Sequence, residues 1–471
     1  MNRSLQQRSP ARPAEPIGNN ATRVGRASGA GTAWRVALCI RAGALAAGIA
    51  LAGPALATNG YFQIGYGAKS VGMAGVGVAN PQDTLAGASN PAGMANVGEG
   101  FDIGFRLFSP DRSASLGCPG PACTQSTISD TSDNDLFIIP DGGYTTRIND
   151  KMFAGVSVYG NGGMNTSYPT NLFGEAGAQS MGAPPGAGTA AFGKLGVDLV
   201  QLMVAPTVTY EAFEGHTFGI SPVFAVQRFS AHGLGPFAGL SSDATSLTNK
   251  GDDWSYGVGV RIGWLGEIGK SWRLGATYAS KTYMTKLDKY SGLFVDGGSF
   301  DIPANAALGL AVDPIKDLTF AFDVQRIFYG DVDAIANAGP TAAEFGGVIS
   351  PDRRLGASNG IGFGWQDVWV FKLGASYKIN NAWTVRAGYN HGESPIPDSE
   401  VLINIVSLAV PEDHVTLGFS YKSSKKSEWN FSYMHAFENT QTDPSTSFGG
   451  VPASITMSQN AVNFSYTRTF D

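Results

Sequence analysis

The last strand-like segment of the chain alternates apolar and polar side chains up to an aromatic residue at the C-terminus. Residues 461–470 read AVNFSYTRTF, so that Val462, Phe464, Tyr466 and Phe470 fall on one face and mostly hydroxyl or amide side chains on the other. This pattern is typical of a strand with one face in lipid. A soluble sandwich strand could alternate in the same way, so the argument depends on how often the pattern recurs.

The alternation recurs along the chain from residue 101 onward, as in WVFKLGASYK (369–378) and AWTVRAGYN (382–390). Short polar turns and long loops follow one another between these runs, as periplasmic turns and external loops do in outer-membrane barrels. We therefore predict an all-β fold, a 14-stranded antiparallel transmembrane β-barrel. The predicted strands are 101–109, 134–147, 151–160, 195–212, 217–230, 253–266, 271–283, 304–313, 317–329, 365–378, 382–391, 412–422, 427–438 and 457–470.

Bulk composition agrees with a barrel and not with a bundle of membrane helices. The 471 residues include 63 Gly, with 15% charged and 11% aromatic residues, and the mean hydropathy is −0.03. A spanning helix needs about 20 consecutive apolar residues, and the sequence contains no such run. A barrel strand needs an apolar residue only at every second position. A large secreted β-protein such as a propeller is the alternative on composition.

The N-terminus has the features of a secretory signal peptide. Arg35 and Arg41 precede an apolar run over residues 42–53, which is followed by the small-x-small site Ala55-Leu56-Ala57. The run is too short to span a membrane as a helix. We expect residues 1–57 to be cleaved and the chain to lie in the outer membrane of a Gram-negative bacterium.

The charge of the exported chain argues against nucleic acid as a partner. Residues 1–57 hold seven of the 32 basic and one of the 38 acidic residues, which leaves 25 basic and 37 acidic residues and a net charge of −12. Nucleic acid is bound by a basic face. Acidic outer loops suit a surface where divalent cations bridge lipopolysaccharide, so we expect outer-membrane lipid and lipopolysaccharide as partners.

Two cysteines remain after cleavage, in the loop sequence GCPGPACT. Cys118 and Cys123 lie in a Pro- and Gly-rich stretch of an exported chain. This context predicts a disulfide that closes a small loop. A metal site would need further ligands nearby, and the sequence offers none.

Residues 58–100 precede the barrel domain, which is predicted over 101–471, and lack strand alternation. This Gly-rich segment contains Asn80-Pro81 and Asn90-Pro91. Asn favours the helix N-cap and Pro the first helical position, so each pair predicts a short helical turn. Fourteen strands enclose a lumen too wide for wall side chains to fill. We therefore predict that residues 58–100 form a hatch that plugs the barrel.

The sequence lacks the usual signatures of catalysis. Its five histidines have no metal-ligand spacing. We expect no enzymatic activity, no metal and no cofactor.

Four polar side chains are predicted to point into the barrel from mid-strand positions. Lys372 and Arg386 lie on neighbouring strands, and Asp323 and Gln325 precede them. A buried charge must be paired or functional. Lys372 and Arg386 could hold the hatch in a salt-bridge network or bind the carboxylate of a ligand.

The hatch sequence NGYFQIGYGAKSVGMAGVGVANPQDTLAGASNPAGMA (59–95) resembles the start of the FadL-type outer-membrane transporters, which carry long-chain fatty acids and, in relatives, aromatic hydrocarbons such as toluene. The Asn90-Pro91-Ala92 motif belongs to this resemblance. It extends over the mature chain through VYGNGGMNTSYP (158–169), FDVQRIFYGD (322–331) and LGASYKINNAWTVRAGYNHGESPIPD (373–398).

The resemblance implies a 14-stranded barrel with an N-terminal hatch. It also implies that hydrophobic ligands enter through a groove among the outer loops, reach a pocket near the hatch and leave sideways through a kink in the third strand. The predicted third strand runs into Gly160, Gly162 and Gly163, and Gly within a strand marks a bend or bulge. These glycines could also be an ordinary loop start. Candidate ligand contacts are Asn59, Gly60, Phe62, Leu172, Phe173, Leu293, Phe294, Lys372 and Arg386, together with the hatch motif.

Two questions stay open on the sequence. Fatty-acid uptake would use a cation such as Lys372 or Arg386, whereas uptake of aromatic hydrocarbons would not, and the sequence does not choose between the two. The alternative function is a general porin for small solutes, although porins lack a forty-residue N-terminal plug.

Overall fold

Fourteen long strands form the wall of the protein in a computed structural model that describes residues 59–470. The predicted signal peptide, residues 1–57, lies outside the described residues. The wall strands are β1 (Gly100–Gly117), β2 (Phe137–Asn149), β3 (Met152–Asn165), β4 (Gly196–Phe213), β5 (His216–His232), β6 (Asp253–Ile268), β7 (Trp272–Ala279), β8 (Asn305–Ile315), β9 (Leu318–Ile327), β10 (Val368–Lys378), β11 (Trp383–Gly392), β12 (Asp413–Ser424), β13 (Ser427–Asp443) and β14 (Ala453–Thr469).

Each wall strand pairs antiparallel with its neighbours in sequence, and β14 pairs with β1. The closing register runs from Gly100↔Thr469 to Leu116↔Ala453. Closure lets the strands satisfy one another's backbone groups without leaving an edge, as a lipid environment requires. The prediction of a 14-stranded antiparallel barrel is confirmed.

The two faces of the wall differ as the sequence alternation predicted. On β1, Ile103 is 62% exposed and points outward, whereas its neighbour Asp102 is 4% exposed and points into the lumen. Aromatic side chains gather near the periplasmic rim, where Phe470 lies 6.2 Å from Phe101 and 5.9 Å from Tyr144 between ring centroids. An outward apolar band bordered by aromatic residues is the lipid-contacting surface of such a barrel.

The predicted strands match the observed ones closely except at their outer ends. β1, β13 and β14 continue into segments predicted as loops, and β3 continues to Asn165. Beyond the apolar band the outward side chains meet water, so apolar alternation is no longer required there. The sequence signal therefore stops before the hydrogen-bonded strand does.

Two short strands and several short helices lie outside the barrel wall, in the loops and in residues 59–99. The strands are Thr127–Thr131 and Tyr283–Met284. No helix in the part of the chain that the structure describes is long and apolar enough to cross a membrane. The α-helices are α1 (Ala68–Val71), α2 (Ala86–Ser89), α3 (Leu172–Ser180), α4 (Ala187–Phe192), α5 (Val295–Gly298), α6 (Asp333–Ala336) and α7 (Ala342–Phe345), and the 3-10 turns are Pro91–Asn96, Gly235–Leu240, Ala244–Ser246, Asp288–Tyr290, Tyr329–Asp331, Pro351–Arg353, Asp398–Glu400 and Ile403–Val406.

Residues 59–99 lie inside the barrel and form the hatch. The turn Pro91–Asn96 contacts β4, β5 and β6, while α1 contacts β12, β13 and β14 on the other side. Asn90 caps that turn as predicted, since its side chain accepts from Ala92 N and Pro91 occupies the first helical position. Asn80-Pro81 starts no helix, so that prediction is wrong; instead the Asp83 side chain accepts from Leu85 N just before α2.

The lipid-facing surface gives the first testable prediction. Leu417 is 63% exposed and lies on the outward face near the middle of β12. We expect Leu417→Arg to destabilise the barrel in lipid vesicles by about 2–4 kcal/mol, because the charge would sit near the bilayer midplane. Met181→Arg is the control, since Met181 is 83% exposed in an extracellular loop. Denaturant titration in vesicles measures both, and an equal cost for the two would contradict the assignment of the lipid face.

Candidate functional site

The hatch is attached to the wall by polar contacts on several sides. The Asn90 side chain donates to Trp264 O at 2.9 Å and to Val78 O at 2.7 Å. Thr209 Oγ1 donates to Pro91 O at 2.8 Å and Thr217 Oγ1 to Ala92 O at 3.2 Å. The motif Asn90-Pro91-Ala92, predicted as part of the site, therefore lies where the hatch meets β4, β5 and β6.

The inward charges predicted from β9, β10 and β11 contact the hatch. Lys372 Nζ donates to Ile64 O at 2.9 Å, and Arg386 Nε donates to Gln82 Oε1 at 2.9 Å. Asp323 Oδ2 accepts from Gly77 N at 2.8 Å and from Val78 N at 3.1 Å. Of the two roles considered for Lys372 and Arg386, this geometry favours holding the hatch.

The hatch also carries charged groups on its periplasmic side. Lys69 Nζ lies 2.8 Å from Glu428 Oε1 of β13, and both side chains are largely buried. Burial, together with repulsion from Asp102, raises the pKa of Asp83 well above its usual value. The protonated form of this hatch carboxyl group is therefore favoured by its surroundings.

The wall has a gap between β2 and β3 on its extracellular side. Pairing of these strands ends at Asp141↔Tyr159. Residues 137–140 still pair with β1 and residues 160–165 still pair with β4, but within the described strands no pair joins the two runs. We call this gap, bounded by residues 137–140 and 160–165, the lateral window.

The glycines predicted as a kink lie at the window. The register of β3 against β4 shifts between Gly160 and Gly162, as in a β-bulge. The strand end then pairs with the hatch, because Gly163 N donates to Tyr61 O at 3.2 Å and Phe62 forms an antiparallel bridge with Gly162. Gly160, Gly162 and Gly163 therefore lie beside Phe62 of the hatch.

Hatch side chains complete the inner side of the window. Gln63 N donates to Asn161 O at 3.1 Å, and Gln63 Nε2 donates to Gly160 O at 2.8 Å. Tyr66 Oη lies 3.4 Å from Asn161 Oδ1. The hatch thereby supplies hydrogen bonds that β2 would otherwise give to this part of β3.

Above the window, Arg112 links the two separated segments. Its guanidinium is buried and donates to Asn165 O at the end of β3 and to Asn134 O just before β2. Asn134 Nδ2 also lies 3.2 Å from Asn165 Oδ1. These contacts frame the window on the extracellular side, opposite the Asp141↔Tyr159 pair.

A small cavity lies on the other side of the same hatch segment. Arg261 is almost fully buried there, its Nη1 donates to Ser89 O at 3.1 Å, and its Nε has no hydrogen-bond partner among the described residues. We call this space the inner cavity. It is lined by Phe62, Gln63, Gly65, Tyr66, Gly75, Val78, Ala88, Ser89, Arg261, Thr277, Asn305, Ala307, Asp323, Gln325 and Lys372.

The first residues of the hatch approach the β9–β10 loop closely. Asn59 O accepts from Tyr329 Oη at 2.7 Å. Gly60 has φ +67°, and a Cβ there would lie 2.2 Å from Tyr329 Oη, so this position requires glycine. Asn59 and Gly60, both predicted as ligand contacts, therefore contact the β9–β10 loop.

A second, apolar cavity lies among the extracellular loops, and we call it the outer groove. Leu293 and Phe294, both predicted as ligand contacts, line it. Leu172 and Phe173 begin α3 and are buried behind it, with the Phe173 ring 4.7 Å from that of Phe237. The lining residues are Val197, Phe229, Leu234, Phe237, Leu247, Leu293, Phe294, Ala334, Leu355, Ile361, Gly362, Phe363, Ile403 and Val406.

The two loop cysteines lie beside the same helix. Cys118 and Cys123 are joined by a disulfide with a Cα–Cα distance of 6.1 Å. Gln179 of α3 accepts from Thr124 Oγ1 at 3.0 Å. The closed loop after β1 therefore packs against the helix that begins with Leu172.

Sequence reasoning did not identify Arg112, Arg261 or Tyr329. Arg112 lies in a segment predicted as a loop, and Tyr329 belongs to a loop whose contact with the hatch spans some 270 positions. One signal for the window was present in the sequence: Pro140, which has no N–H to donate, stands immediately before Asp141, the outermost residue of β2 that pairs with β3.

Comparison with known proteins places the chain within a described family. A family model described as "Outer membrane protein transport protein (OMPP1/FadL/TodX)" matches residues 44–471. No curated protein sequence matches the chain well enough to add to this comparison.

Solved structures share the fold at low sequence identity. The crystal structure of the toluene transporter TodX of Pseudomonas putida matches with a TM-score of 0.63 and 21% identity, over 86% of this chain and 99% of that one. The toluene transporter TbuX of Ralstonia pickettii matches with 0.59 and 18%, over 87% and 99%. A FadL homologue of Pseudomonas aeruginosa matches with 0.61 and 14%, over 88% and 100%. These likenesses establish the fold.

The Asp323 contacts give a prediction about hatch retention. Asp323→Asn replaces a charged acceptor of two hatch N–H groups, and hydrogen bonds to charged groups contribute about 1.5–3 kcal/mol. We expect the variant to admit more of a large hydrophilic antibiotic into cells. The control is Asp317→Asn in a periplasmic turn, where the nearest cation, Lys378 Nζ, is 3.9 Å away. Equal permeability of the two variants would contradict a hatch-holding role for Asp323.

Proposed function

Because the chain belongs to the OMPP1/FadL/TodX family of outer-membrane transport proteins, we propose that it takes up hydrophobic small molecules by hatch-gated diffusion and releases them sideways into the membrane. One observation carries this proposal. The wall is interrupted at the lateral window, and what closes the window from inside is a short hatch segment rather than another wall strand.

The proposed route passes through three sites. The outer groove offers an apolar surface for capture, the inner cavity receives the ligand beside the hatch, and the lateral window leads into lipid. Phe62, Gln63 and Tyr66 line the inner cavity and also contact or face residues 160–163 of β3. We therefore propose residues 59–66 as the gate segment, since its displacement would join the cavity to the window.

The physical advantage of sideways release is that the ligand avoids water. Keeping an apolar chain in water costs roughly 0.8 kcal/mol per CH₂. Leu136 and Ile138 are exposed on the outer side of the window, so a ligand leaving there would pass from apolar side chains directly to lipid.

Arg261 supports a ligand with an acidic end. The inner cavity contains two cations, Lys372 and Arg261, and one carboxylate, Asp323. Lys372 faces Asp323 across the strand pair and donates to the hatch, whereas Arg261 Nε is unpaired within the described residues. A buried guanidinium is stabilised by a bidentate carboxylate. We propose a long-chain fatty acid as the preferred substrate, and an aromatic hydrocarbon, such as the toluene named for TodX and TbuX, as the alternative.

We also propose a division of the chain into segments and its contacts with the outer membrane. Residues 1–57 would be the cleaved signal peptide, 58–100 the hatch and 101–471 the barrel. The exposed apolar band supports contact with outer-membrane lipid, and the acidic balance of the chain supports contact of its loops with lipopolysaccharide through divalent cations.

An engineered disulfide across the lateral window, which we call the lock, tests whether the ligand leaves through the window. Phe62 and Gly162 lie opposite one another in an antiparallel bridge, a spacing within the Cα range of a disulfide. We expect the double variant Phe62→Cys/Gly162→Cys to lose at least about nine-tenths of fatty-acid uptake when oxidised and to regain it on reduction, as measured in cells deleted for the native protein. Cys118 and Cys123 are already paired.

The single variants are the controls for the lock, since each carries one substitution without the crosslink. Uptake that persists in the oxidised double variant would contradict the window as the exit. A porin would instead pass small sugars in all variants and favour no hydrophobic substrate.

Arg261→Met tests the substrate class. We expect fatty-acid uptake to fall about tenfold, because the carboxylate loses its buried partner at a cost of about 1.5–3 kcal/mol, while uptake of ethylbenzene stays within twofold of the wild type. Lys270→Met, in a periplasmic turn that does not line the inner cavity, is the control. If the wild type takes up ethylbenzene but no fatty acid, the carboxylate assignment is wrong. If it takes up neither, the transport proposal itself fails.

A further inference from the structure

The β9–β10 loop lines the outer groove with residues such as Ile361 and Phe363, and it contacts the gate segment through one buried tyrosine. Tyr329 begins the 3-10 turn Tyr329–Asp331 and is fully buried. Its hydroxyl donates to Asn59 O at 2.7 Å and accepts from Tyr61 N at 3.1 Å. A single oxygen atom therefore holds two backbone groups of the gate segment.

The Tyr329 ring belongs to an aromatic cluster that includes Tyr61, Phe62 and Trp365. The ring of Trp365 lies 5.1 Å from that of Tyr329 and 6.0 Å from that of Tyr61. Phe62, whose backbone bridges the window at Gly162, lies 6.0 Å from Tyr329. The cluster therefore packs against the same hatch residues that close the window.

The other side of the cluster reaches the outer groove. Trp365 Nε1 donates to Asn404 Oδ1 at 2.7 Å, and Asn404 Nδ2 donates to Phe363 O at 2.8 Å. Phe363 lines the outer groove, as does Ile403 next to Asn404. The groove residues Phe363 and Ile403 are therefore linked to Trp365 through Asn404, by hydrogen bonds and by chain continuity.

We propose that Tyr329 is a positioning residue that couples filling of the outer groove to release of the gate segment. While the groove is closed, the hydroxyl holds Asn59 and Tyr61, and with them the residues that cover the window. When a ligand displaces the groove loops, Trp365 and Tyr329 shift together and both hydrogen bonds to the gate segment are lost. We call the two hydrogen bonds from the Tyr329 hydroxyl to Asn59 and Tyr61 the clamp. The inference rests on the proposed function for its ligand, but the clamp itself is a property of the closed protein.

Of the two hydrogen bonds, the one from Tyr61 N depends more strongly on the Tyr329 hydroxyl. Asn59 O has a second donor, Phe62 N at 3.2 Å, whereas Tyr61 N has no acceptor among the described residues other than the Tyr329 hydroxyl. A buried N–H without an acceptor is costly. Loss of the hydroxyl alone therefore loosens the gate segment and leaves the aromatic packing in place.

Tyr329→Phe tests the clamp, with Gln63→Cys as a reporter because Gln63 is 7% exposed and lies at the window. The measurement is the rate at which N-ethylmaleimide modifies the introduced thiol in detergent micelles, with and without oleate or ethylbenzene. We expect oleate or ethylbenzene to accelerate modification when Tyr329 is present. In Tyr329→Phe we expect modification about tenfold faster without ligand and no further acceleration with it, since a loss of about 1.4 kcal/mol corresponds to a factor of ten.

Tyr290→Phe is the matched control. The Tyr290 hydroxyl also joins two backbone groups, since it donates to Gly251 O at 2.8 Å and accepts from Ala231 N at 3.0 Å, but it does so between extracellular segments away from the hatch. We expect this variant to keep the slow, ligand-responsive rate. Similar melting temperatures of the two Tyr→Phe variants would separate loss of the clamp from general loss of stability.

Several results would overturn the coupling. The first two are a thiol modification rate that is unchanged in Tyr329→Phe, or one that rises equally in Tyr290→Phe. The other two are a response to ligand that survives in Tyr329→Phe, or a modification rate that neither oleate nor ethylbenzene changes when Tyr329 is present. Uptake assays on the same variants report separately on transport. A wild type that takes up no hydrophobic substrate contradicts the proposed function, whereas fast modification in Tyr329→Phe alone would still establish the clamp.

Discussion

The backbone hydrogen bonds of the wall are the constraint on which the rest of this structure depends. In lipid an unpaired N–H or C=O has no water to bind, so the strands must close on themselves. Closure with fourteen strands creates a lumen that wall side chains cannot fill, and the hatch fills it. The hatch has little regular secondary structure of its own, so wall residues such as Asp323, Lys372 and Thr209 supply partners for its backbone groups.

At the lateral window the described wall departs from this rule at the ends of two neighbouring long strands. Where β2 and β3 separate, the free edge of β3 is satisfied by Tyr61 and Gln63 of the hatch, and Arg112 binds carbonyl groups on both sides. Hydrogen bonds to a movable segment replace hydrogen bonds to a wall strand. This exchange allows a barrel to have an opening toward lipid without leaving bare backbone in the closed form.

The fold could be predicted from the sequence because lipid imposes a residue-by-residue pattern. Positions that contact lipid, such as Ile103 and Leu417, must carry apolar side chains, and their neighbours in the chain point inward. Fourteen strands can therefore be counted from this alternation alone. The inward direction of Lys372 and Arg386 follows from the same period of two. The site was less predictable, since Leu293 and Phe294 were found from their apolar character in a loop, but Arg261 and Tyr329 look ordinary in the sequence. Their roles depend on partners at distant positions, such as Ser89 for Arg261 and Asn59 for Tyr329.

The sequence by itself determined the barrel, the number of its strands, the direction of its wall side chains and the presence of an N-terminal plug, because each of these follows from local periodicity, composition or chain order. Only the tertiary structure decided that β2 and β3 part above Tyr159, that the hatch covers the opening, and that Lys372 and Arg386 face hatch atoms. Those features arise from contacts between segments that are far apart in the chain, where the geometry of the closed barrel, and not any local preference, selects which atoms meet.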